Sequence, residues 1–246
     1  MISHSELKDF LLMRCFDCKK YLDELINGDC LHMNSVKRFR EESNKFQGDP
    51  NDCAVIVNNE ILSGALYAGN GIPEKRLFEA NLNEFALNGY LYCFFALPKE
   101  FFKIENNTLM YDAESPYCQK FFHCLHEYRK NCKSKSCYVG LFDAVALVNR
   151  LEQCLEKLNL SYSCGFVEYK KLNSKERMKL LAENHPDRIV LTKDPSYSYQ
   201  SEFRFFVRTR ERIDEYLQIY GLDLSDILAM QFEFNPHNWE VTPDEV

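Results

Sequence analysis

The residues best suited to chemistry lie in Lys193-Asp194-Pro195-Ser196-Tyr197-Ser198-Tyr199-Gln200-Ser201-Glu202-Phe203-Arg204-Phe205-Phe206. Side chains in a strand alternate between faces, so Gln200, Glu202, Arg204 and Phe206 share one side and Ser201, Phe203, Phe205 and Val207 the other. The second face is apolar and belongs in a core. The first sets an amide, a carboxylate and a guanidinium in a row, behind Tyr197 and Tyr199 in a loop that Pro195 shapes. A carboxylate on a rigid strand suits glycosidic chemistry. Cleaving nicotinamide from NAD builds positive charge on the ribose, and a carboxylate that accepts a hydrogen bond from a ribose hydroxyl stabilises that oxocarbenium-like state. A polar side chain two residues earlier can position the acceptor nucleophile. The same pattern also fits an exposed strand face carrying a Glu202–Arg204 surface pair.

Other chemistries find less support. No Gly-x-Gly-x-x-Gly loop follows a strand and no Walker A sequence is present; Gly69-Asn70-Gly71 reads as a turn. No Gly-x-Ser-x-Gly elbow marks a nucleophilic serine. His123 and His126 stand one helical turn apart, on what reads as a helix surface. A metal-dependent nuclease would need a spaced carboxylate cluster, which is missing. Eleven cysteines are present, an odd number that rules out complete internal pairing. Cys15-x-x-Cys18 has zinc-pair spacing, and Cys118, His123, Cys124, His126, Cys132 and Cys137 are dense in one region, but the usual second Cys-x-x-Cys is absent. The cysteines read as reduced thiols and no metal site is expected. The start, Met1–Phe10, is polar and lacks the apolar segment of a secretory leader, and no apolar run reaches membrane-spanning length. The expectation is a cytoplasmic protein with no membrane partner.

The 246 residues, 46% hydrophobic and 27% charged, suit one large globular domain over 1–246. The formal net charge of −7 counts against a general nucleic-acid binder. Local basic strips remain at Lys37–Arg40, Arg129–Lys135 and Arg204–Arg212. The patterning predicts strands at Leu11–Phe16, Cys30–Met33, Ala54–Val57, Ile61–Tyr67, Tyr90–Leu97, Ser136–Phe142, Tyr162–Tyr169, Ser201–Arg208 and Ile227–Phe234. It predicts helices at Asp17–Asn27 with Gly28 as C-cap, at Ser35–Glu42 with Ser35 as N-cap, and at Pro116–Arg129. Further helices are expected at Ala144–Leu158 capped by Asp143, at Ser174–Glu183 and at Arg212–Tyr220. Gln47-Gly48-Asp49-Pro50 is a turn. The order lacks regular βαβ alternation, which makes the class α+β.

Gln200-Ser201-Glu202 resembles the Gln/Glu-x-Glu element of ADP-ribosyltransferases. The wider pattern resembles an uncharacterised family of bacterial and phage proteins with a related fold. Its features are Leu25 through Ser35, Phe39-Arg40, Gly48-Asp49, Tyr92 through Leu97, Gly165 through Tyr169 and Lys193 through Arg204, spanning most of residues 14–208. The resemblance implies an ADP-ribosyltransferase-like single domain with a central mixed or split β-sheet, and NAD as substrate. Glu202 is then the catalytic carboxylate and Gln200 the acceptor-orienting residue. Tyr197 and Tyr199 belong to the loop that meets the target. Arg14 resembles the first-strand arginine that holds NAD phosphates or ribose, a task suited to a planar donor fork. Arg204 joins them at the dinucleotide. Ser161-Tyr162-Ser163 matches the spacing of the family's Ser-x-Ser strand but stands late in the chain. The implied function is transfer of ADP-ribose to a protein or nucleic-acid acceptor by a toxin, defence or phage–host conflict factor. The alternative is a non-catalytic nucleotide-binding or partner-binding protein on the same fold.

Overall fold

A computed structural model describes residues 4–41, 89–131, 136–171, 176, 179–180, 186–209 and 216–235. It is mixed α and β, built on an eight-stranded sheet. The strands are β1 (Phe10–Phe16), β2 (Leu31–Ser35), β3 (Gly89–Pro98), β4 (Cys137–Asp143), β5 (Ser161–Phe166), β6 (Glu202–Arg208), β7 (Tyr216–Ile219) and β8 (Leu228–Phe234). Every pairing between them is antiparallel.

The longest strand, β3, is the hub. Its near-continuous apolar run, Tyr90 to Leu97, is what a strand covered on both faces requires. One edge of β3 is filled by β6, from Gly89↔Arg208 to Phe95↔Glu202. The opposite edge is shared. There β2 pairs at Tyr90 and Leu91, and β1 pairs from Phe95 to Pro98. Between those two ladders Tyr92, Cys93 and Phe94 have no strand partner on that edge among the described residues, so the sheet splits. From the split β1 continues beside β4, and β2 continues beside β7.

Among the described residues three apolar clusters cover the two faces, the smallest of them Val36, Leu91, Val190 and Phe206. Phe203, Phe205 and Val207 of β6 join Leu12, Phe94 and Ala96 under the helices α1 (Lys19–Ile26) and, further along, α4 (Ala144–Lys157). Between α1 and α4 come α2 (Val36–Glu41) and α3 (Pro116–Asn131). Helix α3 packs Cys118, Phe121, Cys124 and Leu125 against Met13, Phe95 and Leu97 on the other face. The inward positions of α4, Leu147, Val148, Leu151 and Leu155, follow the helical period read from the sequence. Asp143 caps it as expected, its carboxylate accepting from the Ala146 N–H at 3.0 Å. Ser35 accepts from the Arg38 N–H at the start of α2. Gly28 follows the C-cap Asn27 with φ +77°, and a Cβ there would lie 2.7 Å from the Asp223 nitrogen, so only glycine fits the close approach.

Several expectations need correction. Arg212–Tyr220 reads as a helix, yet Tyr216–Ile219 is β7, with Leu217 opposite Met33 and Ile219 opposite Leu31. Tyr162–Tyr169 is two strands, because the Val167 N–H turns to the Glu202 carbonyl and Glu168–Tyr169 pairs in parallel with Thr192–Lys193. The strand expected from Ser201 begins at Glu202, since Ser201 has φ +43°. A hairpin, Phe102–Glu105 with Thr108–Tyr111, turns on Asn106-Asn107, both at positive φ; that Asn-Asn turn was the available signal. Gln47–Pro50, Ala54–Val57, Ile61–Tyr67 and Gly69–Gly71 lie outside the described residues, as does most of Ser174–Glu183.

Burial pushes the Asp143 carboxyl up, but the Lys99 ammonium and the Ala146 and Val145 N–H groups outweigh it and hold it below its ordinary value. A lowered folded value stabilises the protein above the ordinary aspartate range and loses that contribution as pH falls through it. Asp143→Ala is expected to cost about 1 kcal/mol at neutral pH. In urea unfolding series, the gap between wild type and variant should close as pH falls through the lowered carboxyl range. A gap independent of pH would show that the cap carries no charge-linked stability.

Candidate functional site

The site begins with a detour of the chain. After the short strand Thr192–Lys193, Asp194 accepts from the Ser196 N–H at 2.9 Å and opens a 3-10 turn, Pro195–Gln200. Ser201 then takes a left-handed conformation and its carbonyl accepts from the Ala96 N–H at 2.8 Å, which starts β6 at Glu202. The detour brings Lys193 back against the residues that follow it. Its ammonium donates to Gln200 Oε1 and to Glu202 Oε1, each at 2.7 Å. Arg204 Nε donates to Glu202 Oε2 at 2.6 Å, and its Nη1 donates to the Val190 carbonyl at 2.7 Å.

All four side chains are buried: Lys193 is 4% exposed, Gln200 6%, Glu202 8% and Arg204 1%. The expected exposed-face reading of Glu202 and Arg204 is therefore replaced by a desolvated cluster of two cations around one carboxylate. Charges held this far from water require partners and hydrogen bonds to persist. The Glu202 backbone N–H is also satisfied, donating to the Tyr169 hydroxyl at 2.8 Å. Burial and then the Glu202 charge push that phenol above its ordinary value.

Arg14 reaches the same place from the other side of the split. Glu202 pairs with Phe95, which pairs with Met13, so the three stand in one row across β6, β3 and β1. Two strand spacings separate Glu202 from Met13, roughly 10 Å between Cα atoms. Just past Met13, the Arg14 guanidinium enters the gap and donates to the Cys93 carbonyl at 2.6 Å. It lies over the Tyr92 ring, 4.5 Å from the centroid. Its Nε is buried and has no hydrogen-bond partner among the described residues.

An open cavity of about 150 Å³ lies where these residues meet. Its walls are Met13, Arg14 and Cys15 from β1, Asn34 from β2, Phe39 from α2, Cys93 to Phe95 from β3, Cys124 and Tyr128 from α3, and Lys193, Gln200, Glu202 and Arg204. The structure thus brings Arg14, Gln200, Glu202 and Arg204 together. Tyr197 and Tyr199 stand behind them, outside the described wall. Lys193 sits over the Tyr197 ring at 4.6 Å, and Tyr199 packs edge-on against His123 at 4.9 Å. Ser161 and Ser163 pair with Arg208 and Phe206, at the far end of β6 from Glu202. Burial pushes the Cys93 thiol up to about 12, with Glu202 adding to it, and pushes Cys124 further up, so neither of these two wall cysteines is a thiolate at neutral pH.

Sequence reasoning missed Lys193 as a member of the site. Its only signal was its place at the head of the motif, because the contact depends on the turn between. Among the described residues no three His, Cys, Asp or Glu side chains converge as a metal site, and no helix is long and apolar enough to cross a membrane. No protein-family model matches the chain, and neither a curated protein nor a solved structure matches it significantly.

Lys193→Met removes one of two cations from a buried carboxylate and should destabilise the fold by about 3–5 kcal/mol, as broken buried pairs do. Adding Glu202→Gln should recover part of that loss in urea unfolding. Strictly additive losses in the double variant would show that the two side chains are not coupled.

Proposed function

We propose that this chain transfers ADP-ribose from NAD to a protein or nucleic-acid acceptor, with an ADP-ribosyltransferase-like domain as its scaffold. The observation that carries the reading is that Arg14 and Glu202, distant in sequence, line one cavity at the split of the sheet. Arg14 supplies planar donors for the diphosphate or ribose, and its unpartnered Nε is a donor left for such a ligand.

In the proposed reaction the bond from ribose C1′ to the nicotinamide nitrogen breaks, and its electron pair leaves with neutral nicotinamide. Glu202 accepts a hydrogen bond from a ribose hydroxyl and stabilises the positive charge that grows on the sugar. A carboxylate oxygen can accept more than one hydrogen bond, so the bonds from Lys193 and Arg204 are compatible with a further one from a ribose hydroxyl. Gln200 orients the acceptor, whose nucleophilic atom bonds to C1′ and releases its proton to solvent. Lys193 fixes Gln200 and Glu202 relative to each other, and Arg204 fixes Glu202 from the other oxygen. Tyr197 and Tyr199 stand on the turn that would face the acceptor. The setting that fits is a toxin, defence or phage–host conflict factor acting in the cytoplasm.

A second reading is a non-catalytic nucleotide-binding protein. What favours it is that both Glu202 oxygens are engaged by cations of the protein itself.

Purified protein given labelled NAD and a cell lysate should label an acceptor and release nicotinamide. Glu202→Gln, which keeps the side-chain volume, should lower transfer by about 100-fold or more, the scale of a lost electrostatic contact to a transition state. Transfer unchanged in that variant would overturn the catalytic role of Glu202. Intact NAD bound without turnover would select the binding reading.

A further inference from the structure

A second cavity, of about 400 Å³, lies in the wedge where β1 and β2 diverge. Its volume is in the range of small-molecule sites, about 300–1,000 Å³, whereas the cavity at Glu202 is below it. Arg14 and Asn34 line both cavities, so the two adjoin through the split.

The walls are chemically two-ended. Tyr21 and Tyr216 stand at the mouth, 49% and 45% exposed, and are two of four exposed large apolar side chains among the described residues. His32 stands edge-on to Tyr216 at 5.7 Å. Arg14 holds the inner end, with its buried, unpartnered Nε, and Arg38 of α2 lines the same cavity. Glu24 adds a hydrogen-bond acceptor on the α1 side. Exposed rings are platforms on which a heteroaromatic base stacks, and guanidinium groups are the usual partners of phosphate.

We propose that this second cavity binds a nucleoside phosphate, its base against Tyr21 and Tyr216, its ribose near Glu24 and its phosphate on Arg14 and Arg38. Resting on the transfer reading above, the site is that of the donor's adenylate half, with the reacting half passing Arg14 into the cavity at Glu202. A dinucleotide too large for the smaller cavity is accommodated by the two together.

The test is calorimetric titration with AMP, adenosine and ribose 5-phosphate as probes. AMP should bind more tightly than either fragment, because each fragment lacks one end. Tyr216→Ala should weaken AMP about tenfold, the scale of one lost stacking partner, and leave ribose 5-phosphate unchanged. Tyr216→Phe should restore AMP binding, and it guards against a folding defect. Arg38→Ala should weaken AMP and leave adenosine unchanged. NAD should compete with AMP. Absence of AMP binding, or AMP binding indifferent to Tyr216 and Arg38, overturns the site. AMP binding as described but without NAD competition overturns its assignment to the donor. If AMP binds as described and NAD competes, yet no ADP-ribose is transferred, the site stands and the transfer reading fails.

Discussion

Two strands compete for one edge of Gly89–Pro98, and neither takes all of it. Every candidate functional feature follows from that division. A strand edge carries donors and acceptors that must be met by something, and across Tyr92–Phe94 a side chain answers in place of a strand, with Arg14 donating to the Cys93 carbonyl. The gap so created is where β1 and β2 part, where two cavities adjoin, and where a guanidinium is drawn into the centre of the sheet. A continuous ladder there would bury the same residues as ordinary core. Because β6 pairs along the other edge of β3 from Gly89 to Phe95, Glu202 is registered against Phe95 and through it against Met13. The carboxylate and the arginine are therefore placed by backbone pairing, the most rigid device the fold has.

The cluster around Glu202 is the second constraint, and it runs against stability. Three charged groups sit at under one-tenth exposure. Replacing such clusters by apolar side chains of similar volume is often neutral or stabilising in proteins. Retaining the cluster makes sense where a charged carboxylate has to be held at one position, beside an amide held by the same ammonium. Local strain points the same way, since Ser201 takes a left-handed conformation between Gln200 and Glu202 that a serine seldom adopts. This turn keeps Gln200 at the cavity although it is not on the strand.

What was legible in the sequence was whatever depends on local periodicity or local chemistry. The alternation Phe203, Phe205, Val207 marks a core face, Asp143 marks a helix start, and the apolar run in β3 marks a strand buried on both sides. Gln200 and Glu202 were found as neighbours, though for an incomplete reason: strand alternation does not extend through Ser201. Tyr216, Leu217, Ile219 and Tyr220 fit a helical stripe as well as a strand, and the pairing with β2 decided the matter. Lys193 and the split itself were not legible. Both depend on which distant segments pair, and no local pattern states that the Phe95 edge goes to β1 while the Leu91 edge goes to β2.

The proposed dinucleotide site in the split of the sheet has Arg14 at its middle and Glu202 at its reacting end. The most direct measurement is a crystal structure of the Glu202→Gln variant grown with NAD. The expected result is density running from Tyr216 past Arg14 to residue 202, with a ribose hydroxyl within hydrogen-bond reach of residue 202 and Arg14 Nε bonded to the ligand. NAD bound elsewhere on the protein, or lying in the split with Arg14 and residue 202 untouched, would contradict it.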